Sequence, residues 1–410
     1  MTAPSPLTSA EGTTGRDEWV LDPAKRHLNH GSYGAVPRRT LEHQAALKRE
    51  LERNPLRWFD SLPERLAAER AALAPFLGSP AHELAVIPNA SAGASTVLAS
   101  TRFEPGDEIL VTDHVYGAVL MAAERAARRD GGVVRAVGIP LAAGSEETLE
   151  LITGAVGPRT RMLIVDHVSS ATARAFPVEE LVAALEGSGV TIVVDGAHTP
   201  GLLDSPARVA GRSDGVVWFG NLHKFASAPR AAAVLVARGE TAARLYPPID
   251  SWGATLDYPE RFDQQGTNDV TGFLSASYGI AELERLFGWQ RIRDYAADLA
   301  AYAASIIAPA LEALQDVPAR PHVGMAQPAQ PLLRLPDGIV TDGASQRVLK
   351  NRLSAEADVE AGIMVWRGQG FLRISAHAYN VAADYEQFVE RGIPVIASMA
   401  RSGASHSPAR

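Results

Sequence analysis

Two residues that can do chemistry together each follow an apolar segment of the chain. Asp195 comes directly after the apolar run 191–194, and Lys224 follows the next run, 215–219. If both runs are strands of one parallel sheet, their ends deliver the two side chains to the same edge. A buried carboxylate can keep a pyridine nitrogen protonated, and a lysine amine can form an imine and then move protons. The pair predicts a pyridoxal-phosphate (PLP) site, although taken alone it also fits a turn-forming aspartate and a solvated lysine.

A small-residue turn earlier in the chain supplies a second element of such a site. The apolar run 84–87 leads into Pro88-Asn89-Ala90-Ser91-Ala92-Gly93, which opens a helical pattern. Backbone N–H groups at a helix start, together with the positive end of the helix dipole, bind phosphate. A serine N-cap without a ligand is the alternative interpretation of this turn taken alone.

The reactive residues and the small-residue turn each follow a short apolar run bounded by turn residues. Helical patterns such as 118–128 and 178–186 lie between several of these runs. Strands that alternate with helices indicate an α/β fold with a largely parallel sheet and helices on both faces. The seven predicted strands are 84–87, 108–111, 133–137, 162–165, 191–194, 215–219 and 231–236.

Changes in composition and hydrophobic pattern along the chain also predict its domains. A polar N-terminal segment, 1–19, is expected to be disordered, and a helical segment over 20–75 is expected to complete the small domain. The PLP-binding large domain is expected over 76–265. The end of this domain and a smaller α+β C-terminal domain occupy 266–400. The tail 401–410 has nothing to pack and is expected to be disordered.

Composition and net charge exclude several classes of protein. The chain has 410 residues, is 46% hydrophobic and carries a formal net charge of -8. It can bury a large core, but it lacks the basic excess that binds a nucleic-acid backbone or an anionic membrane. The polar start lacks a basic segment followed by an apolar stretch, and no apolar run is long enough to span a bilayer. We expect a globular cytoplasmic enzyme without nucleic-acid or membrane partners.

The absence of cysteine removes further classes of site. A count of zero excludes disulfides, thiolate metal sites, iron–sulfur clusters and cysteine nucleophiles. The 11 histidines include no pair at the spacing of a helical zinc site with a glutamate between them. We therefore expect no metal.

Taken together, the motifs resemble the class V aminotransferase family of fold-type I PLP enzymes, and more closely its isopenicillin-N-epimerase-like and cysteine C–S lyase-like branch. The resemblance runs from about residue 28 to residue 392 and implies a PLP-dependent transferase fold with a seven-stranded, mostly parallel sheet. The matching pieces, in chain order, are Leu28-Asn29-His30-Gly31-Ser32-Tyr33-Gly34-Ala35-Val36-Pro37, Asn89-Ala90-Ser91, Asp113-His114-Val115-Tyr116-Gly117-Ala118, Asp166-His167-Val168-Ser169-Ser170, Asp195-Gly196-Ala197-His198, His223-Lys224, Gly266-Thr267 and Arg373-Ile374-Ser375-Ala376-His377-Ala378-Tyr379-Asn380.

The resemblance implies roles around the cofactor. Lys224 would hold PLP as a Schiff base, Asp195 would pair with the ring nitrogen, and Tyr116 would stack on the ring, with His114 as the alternative. Thr267 would reach the phosphate bound by the neighbouring subunit, which implies a homodimer with a shared active site, to which the segment 20–75 adds contacts. The full set of implied cofactor contacts is Ala90, Ser91, Tyr116, Ser170, Asp195, His198, Asn221, His223, Lys224 and Thr267.

Within this set, Ala90 and Ser91 would bind the phosphate, His223 would add a donor, and Ser170 would lie near the ring hydroxyl. One departure from the family affects this region. The loop 225–231, after the lysine, contains no glycine, so its backbone approaches a ligand less closely. Asn221 and Arg230 are the contacts expected in this region.

The resemblance also implies a substrate side. Arg373 would clamp the substrate carboxylate, because a planar guanidinium holds a carboxylate through two parallel hydrogen bonds. Asn29, His30 and Tyr33 match the opening typical of the branch. Each of these three is either a substrate contact or a structural polar residue.

Several reactions are compatible with this set of residues. We favour β-elimination from an S-substituted cysteine in specialised small-molecule biosynthesis. Epimerisation needs a second proton donor, for which Tyr116 or a histidine is available. Transamination and decarboxylating oxidative deamination also stay open. Desulfurase chemistry is excluded, because the chain has no cysteine to receive sulfur. A protein of the PLP fold that has lost catalysis and serves only as a binding module is the remaining alternative. The presence of both Asp195 and Lys224 argues against it.

Overall fold

The computed structural model describes the backbone of residues 1–404 and the side chains of residues 1–401. Within that part, no helix is both long enough and apolar enough to cross a membrane. The strands are β1 (Arg26–Leu28), β2 (Leu84–Ile87), β3 (Glu108–Thr112), β4 (Val133–Val137), β5 (Thr160–Asp166), β6 (Thr191–Asp195), β7 (Val216–Asn221), β8 (Ala233–Val236), β9 (Leu332–Arg334), β10 (Val359–Trp366) and β11 (Gln369–Arg373).

The helices lie between these strands, and short 3-10 turns complete several of the connections. The α-helices are α1 (Arg38–Arg53), α2 (Pro55–Asp60), α3 (Leu62–Leu77), α4 (Ala90–Ser100), α5 (Gly117–Asp130), α6 (Ser145–Ala155), α7 (Val178–Ala184), α8 (Gly239–Arg244), α9 (Ala276–Leu286), α10 (Trp289–Glu312), α11 (Gly343–Ala357), α12 (Ala382–Gln387) and α13 (Ile393–Ala404).

The chain divides into two compact units. The larger unit comprises Val36–Ser170 and Ala175–Glu282. Its seven-stranded sheet has the order β2-β8-β7-β6-β5-β3-β4, in which β8 runs antiparallel to both neighbours and the remaining pairs are parallel. This confirms the expected α/β class and the mostly parallel seven-stranded sheet.

Apolar runs explain why these segments are strands. Every residue of β2 and β8 is buried, as expected for strands covered on both faces of a sheet. On one face, α4 packs so closely that a Cβ atom added to Gly93 would lie 2.8 Å from Cβ of Phe219 on β7. The small residue at position 93 therefore sets the approach of α4 to the sheet.

The smaller unit comprises Met1–Ala35, Ala171–Arg174 and Leu283–Arg410. Its four-stranded sheet has the order β1-β10-β11-β9, with β1 and β10 parallel and the other pairs antiparallel. The long helix α10 buries an apolar stripe that includes Ile292, Leu299 and Leu311. This α+β arrangement agrees with the expected type of C-terminal domain.

The N-terminal segment 1–19 is ordered, contrary to the expectation of disorder. Leu7 and Trp19 are buried, and Nε1 of Trp19 donates to the carbonyl of Ala35 over 3.2 Å. The backbone N–H of Ala10 donates to Leu286 over 2.7 Å. Two apolar side chains, spaced widely among polar ones, suffice to attach the segment to the smaller unit.

The unit boundaries also differ from the expected ones. The segment 20–75 is split after Ala35, so that α1, α2 and α3 belong to the larger unit and not to the small domain. The larger unit ends at Glu282, within the range 266–400 that was expected to contain its end. Of the tail 401–410, residues 401–404 continue helix α13, and residues 405–410 lie outside the described part of the chain.

Candidate active site

The side-chain amine of Lys224 lies 3.1 Å from Nε2 of His198. Nδ1 of His198 lies 3.3 Å from the carbonyl oxygen of Val168. Because a carbonyl only accepts, Nδ1 carries a hydrogen, and a protonated lysine amine then donates to an Nε2 that carries none. The lysine expected to react is therefore held against the imidazole of His198.

Asp195 is the last residue of β6 and is 4% exposed. Its Oδ1 accepts from the backbone N–H of Ala197 over 2.9 Å. Burial raises the pKa of Asp195, whereas the hydrogen bond from Ala197 and the positive charge of Lys224 lower it. The two residues expected to do chemistry together are thus coupled electrostatically.

A second aspartate stands beside Asp195. Asp166 ends β5, is 2% exposed, and its Cα atom is the register partner of the Cα atom of Asp195. Burial first, and then the charge of Asp195, raise the pKa of Asp166, while a hydrogen bond from its own backbone N–H and the charge of Lys224 oppose the rise. No role was predicted for Asp166 from the sequence, although both aspartates directly follow apolar runs.

Several buried polar atoms follow the carboxyl ends of β5 and β7 and have no hydrogen-bond partner within the described residues. Such atoms are rare in folded proteins, and a bound polar ligand can supply the missing hydrogen bonds. The donors and acceptors suit a cofactor that carries a ring hydroxyl, a ring nitrogen and a phosphate. These atoms are Oδ2 of Asp166, Nδ1 of His167, Nδ1 of His223 and Oγ of Ser227.

The small-residue turn opens helix α4 as expected. Asn89 caps the helix, and its Oδ1 accepts from the backbone N–H of Ala92 over 2.9 Å. The backbone N–H of Ala90 donates to Oδ1 of Asn221 over 2.9 Å, so these two residues meet each other at the start of the helix. Ser91 is exposed beside them. The phosphate contacts of these residues stay a prediction.

His223 is half-buried next to the lysine. Burial lowers the pKa of His223 to about 4, and the positive charges of Lys224 and Arg230 add to this effect. The ring is therefore neutral at neutral pH. A neutral ring offers a phosphate one N–H group and no net charge.

Tyr116 and His114 both follow the carboxyl end of β3, but their surroundings differ. Tyr116 caps α5 and is 47% exposed, so its ring is accessible. His114 is buried, and its Nε2 lies 3.0 Å from the carbonyl oxygen of Ile139. His114 is thus tied to the carbonyl of Ile139 through Nε2, and the stacking role of Tyr116 stays a prediction.

The remaining cofactor positions of the larger unit lie on loops. Ser170 is half-buried after β5. Thr267 is exposed and follows Gly266, whose φ of +85° lies in the left-handed region that favours glycine. Exposure of Thr267 is compatible with a contact to another subunit, which stays a prediction.

In the smaller unit, Arg373 ends β11 and is 1% exposed. Its Nη2 donates to Oγ of Ser32 over 3.1 Å and to Oδ1 of Asn29 over 3.4 Å. Burial lowers the pKa of Arg373 to about 10, so the guanidinium still carries its charge at neutral pH. Two of the residues assigned to the substrate side, Arg373 and Asn29, are therefore brought together.

His30 and Tyr33, the other two residues of the predicted substrate side, lie in different surroundings. His30 is buried, stacks on His377 with ring centroids 4.0 Å apart, and places its Nδ1 3.1 Å from the hydroxyl of Tyr379. Tyr33 is 77% exposed. His30 thus packs within the smaller unit, and substrate contacts of both residues stay a prediction.

The sequence is similar to a known family and to several proteins of known activity. The sequence profile of the family described as aminotransferase class V matches residues 59–326. An isopenicillin N epimerase from Amycolatopsis lactamdurans is 29% identical, over 92% of this chain and 96% of its own length. A probable chloroplastic L-cysteine desulfhydrase from Arabidopsis thaliana is 29% identical over 58% of this chain and 56% of its own length. A hercynylcysteine sulfoxide lyase from Schizosaccharomyces pombe is 24% identical over 78% of this chain and 84% of its own length.

Solved structures share the fold. A cystine C–S lyase in complex with cysteine persulfide superposes with a TM-score of 0.74 at 18% identity, covering 92% of this chain and 97% of its own. A cysteine desulfurase from Escherichia coli gives the same TM-score and identity, covering 94% and 97%. The fold of this chain therefore agrees with that of solved structures over nearly its whole length.

Proposed function

We propose that this chain, which belongs to the class V aminotransferase family and uses PLP as its cofactor, cleaves the C–S bond of an S-substituted cysteine by β-elimination. We further propose that it acts as a cytoplasmic homodimer in specialised small-molecule biosynthesis. C–S lyases and cysteine desulfhydrases among its relatives support this substrate class.

The observation that carries the proposal is the contact between Lys224 and His198. β-Elimination starts when a base removes the proton at the substrate α-carbon. An amine serves as that base only in its neutral form, and the neutral Nε2 of His198 stands within hydrogen-bond distance to accept a proton from it. The pair can therefore prepare the amine and move protons at one face of a bound amino acid.

The chain contains four lysines, and two of them have other partners. Lys25 pairs with Asp358 over 3.2 Å, and Lys48 pairs with Asp269 over 3.2 Å. Lys224 follows a strand end of the parallel sheet, where ligands of such sheets bind. We therefore assign the covalent attachment of the cofactor to Lys224.

Other residues of the larger unit would hold PLP by charge and hydrogen bonds. Asp195 would pair with the ring nitrogen, Ser91 and His223 would bind the phosphate, and Tyr116 would stack on the ring. Bound there, PLP supplies an electron sink for the electron pair released at the substrate α-carbon. The buried carboxylate of Asp195 sustains that sink, because its negative charge favours a protonated ring nitrogen.

Arg373 would bind the carboxylate of the substrate. Its guanidinium is buried and charged, and Ser32 and Asn29 hold one of its nitrogens in place. A fixed guanidinium orients the substrate α-carbon and loses little side-chain entropy on binding. The chain has no cysteine, so the sulfur leaves with its substituent and is not transferred to a protein thiol.

Epimerisation at the α-carbon is the second candidate. It is favoured by the coverage of the isopenicillin N epimerase relative, which exceeds nine-tenths of both chains. It requires a proton donor on the face opposite Lys224, and the exposed hydroxyl of Tyr116 is the candidate donor. Transamination would instead give a 2-oxo acid that retains the side chain. Decarboxylating oxidative deamination would give a product that has lost the carboxylate.

Product analysis tests the proposal. Holoenzyme incubated with S-alkyl cysteines and their sulfoxides should release pyruvate, ammonia and the sulfur-containing fragment in equal amounts. Absence of all three with every conjugate would refute the lyase assignment. Incorporation of solvent deuterium with inversion and without fragment release would establish epimerisation instead.

Cofactor attachment is tested separately. Borohydride reduction and peptide mapping should place the cofactor on Lys224, and Lys224→Ala should lose the visible absorbance band expected at about 410–430 nm. Lys25→Ala, which removes a lysine paired with Asp358, is the matched control and should keep the band.

A further inference from the structure

We propose that Asp166 is a positioning residue that keeps a proton at neutral pH and thereby leaves Asp195 as the single buried anion available to the ring nitrogen of PLP. The inference rests on the assignment of Asp195 in the proposed function. It gives a role to a residue that the proposed reaction otherwise leaves unused.

The fold forces the two carboxyl groups together. Asp166 and Asp195 end neighbouring parallel strands, β5 and β6, and their Cα atoms are register partners. Register partners point to the same face of a sheet, and neighbouring strands lie about 4.8 Å apart. The two side chains therefore start side by side on one face.

Both carboxyl groups accept a backbone hydrogen bond that lowers the pKa, and they differ in the second oxygen of Asp166. Asp195 accepts from the backbone N–H of Ala197 over 2.9 Å, a contact that favours its ionised form. Oδ2 of Asp166 is buried, and the described residues give it no hydrogen-bond partner. Burying an ionised carboxylate oxygen without a donor costs far more than burying a neutral carboxyl group at the same place. Asp166 is therefore the member of the pair that holds the proton.

The charges around the pair lead to the same assignment. Two ionised aspartates side by side in a buried site repel each other, so one proton is shared between them at neutral pH. The positive charge of Lys224 lowers the pKa of both carboxyl groups, but burial, which is the largest effect on each, raises the pKa of both. One proton on the pair leaves a single negative charge for the ring nitrogen.

Infrared difference spectroscopy of the holoenzyme tests the protonation state directly. Wild-type protein at neutral pH should show a carboxylic-acid C=O band that Asp166→Asn lacks. The matched control Asp257→Asn, at an exposed aspartate, should leave the band unchanged. Retention of the full band in Asp166→Asn would overturn the proposal.

The pH dependence of the visible PLP band provides a second readout that a purely structural role would not move. Asp166→Asn keeps a neutral donor of the same shape, so the pH midpoint of the band should match that of the wild type. Asp166→Ala removes the donor beside Asp195 and should shift the midpoint by about one pH unit. An equal shift in both variants would show that the charge of Asp166 matters, and would overturn the proposal.

These measurements need no substrate. A failure of the lyase assay therefore leaves the test of Asp166 intact. If Asp195→Asn left the visible band and its pH midpoint unchanged, the assignment of Asp195 would fail, and with it the reason for a neutral Asp166. If Asp195→Asn changes the visible band but Asp166→Asn leaves the infrared band unchanged, only the inference on Asp166 is refuted.

Discussion

The Lys224 amine and Nε2 of His198 lie 3.1 Å apart, and the Val168 carbonyl fixes the orientation of the imidazole from its other side. This arrangement keeps the ring in the tautomer that accepts from lysine. The contact links the turn after β6 to the loop after β7. It ties the proton affinity of the reactive amine to a second residue of the larger unit.

Replacing His198 should therefore change the lysine and not the fold of the sheet. We expect His198→Phe to lower kcat about 10- to 100-fold with a smaller change in KM, because proton transfer by a positioned base contributes about 10²–10⁴-fold. Steady-state kinetics and the pH dependence of the visible band measure both effects. His43→Phe, at a histidine that stacks on Tyr278, is the control and should behave like the wild type.

Asp195 should be intolerant of a neutral replacement. Asp195→Asn keeps the shape of the side chain but removes the charge that favours a protonated ring nitrogen. We expect the rate to fall by at least about 100-fold, whereas Asp195→Glu, which restores the charge, should recover part of the loss. Single-turnover measurements with a cysteine conjugate give the rates. Equal activity of the Asn and Glu variants would contradict the role of the charge.

Arg373 should discriminate substrates by their carboxylate. Arg373→Lys keeps the charge but loses the two-point geometry, and we expect kcat/KM for an amino acid to fall about 10- to 100-fold. The corresponding amine without the carboxylate should react at a similar, slow rate with both proteins. Asn29→Ala, which removes only the contact at 3.4 Å, should have the smaller effect. A drop of equal size for acid and amine would indicate a structural role instead.

Much of the larger unit follows from local sequence patterns. The run 191–194 predicted the strand Thr191–Asp195, and 133–137 coincides with Val133–Val137, because buried parallel strands are short apolar runs bounded by turns. The position of Asp195 at a strand end followed directly. Local patterns also predicted a helix over 118–128, which lies within α5, Gly117–Asp130.

Features that depend on contacts between distant segments did not follow from the sequence. The register that sets Asp166 beside Asp195, and the turn that brings His198 to Lys224, depend on strand order and loop geometry. The order of the segment 1–19 depends on long-range contacts such as that of Trp19 with Ala35. Local hydrophobic periodicity carries no information on such pairs.

Gly93 should tolerate no side chain. A Cβ atom there would lie 2.8 Å from Cβ of Phe219, so Gly93→Ala must displace α4, which carries Ser91 at its start. We expect a destabilisation of about 1–3 kcal/mol, as for other overpacked cores, and weaker PLP binding. Denaturant unfolding and cofactor titration measure the two effects. Gly154→Ala, in α6 with open space around the new Cβ, is the matched control and should stabilise slightly.

The lowered pKa of His223 predicts how stability depends on pH. Its pKa is 6.5 in the unfolded chain but about 4 in the fold, chiefly because of burial, so between these values the unfolded chain binds a proton that the folded protein does not. Stability should therefore be greatest above pH 6.5 and fall as the pH drops towards 4. His223→Gln should reduce the decrease in the urea midpoint between about pH 7 and pH 5. His82→Gln, at an exposed histidine, should leave that decrease unchanged, and an identical decrease in the His223 variant would contradict the assignment.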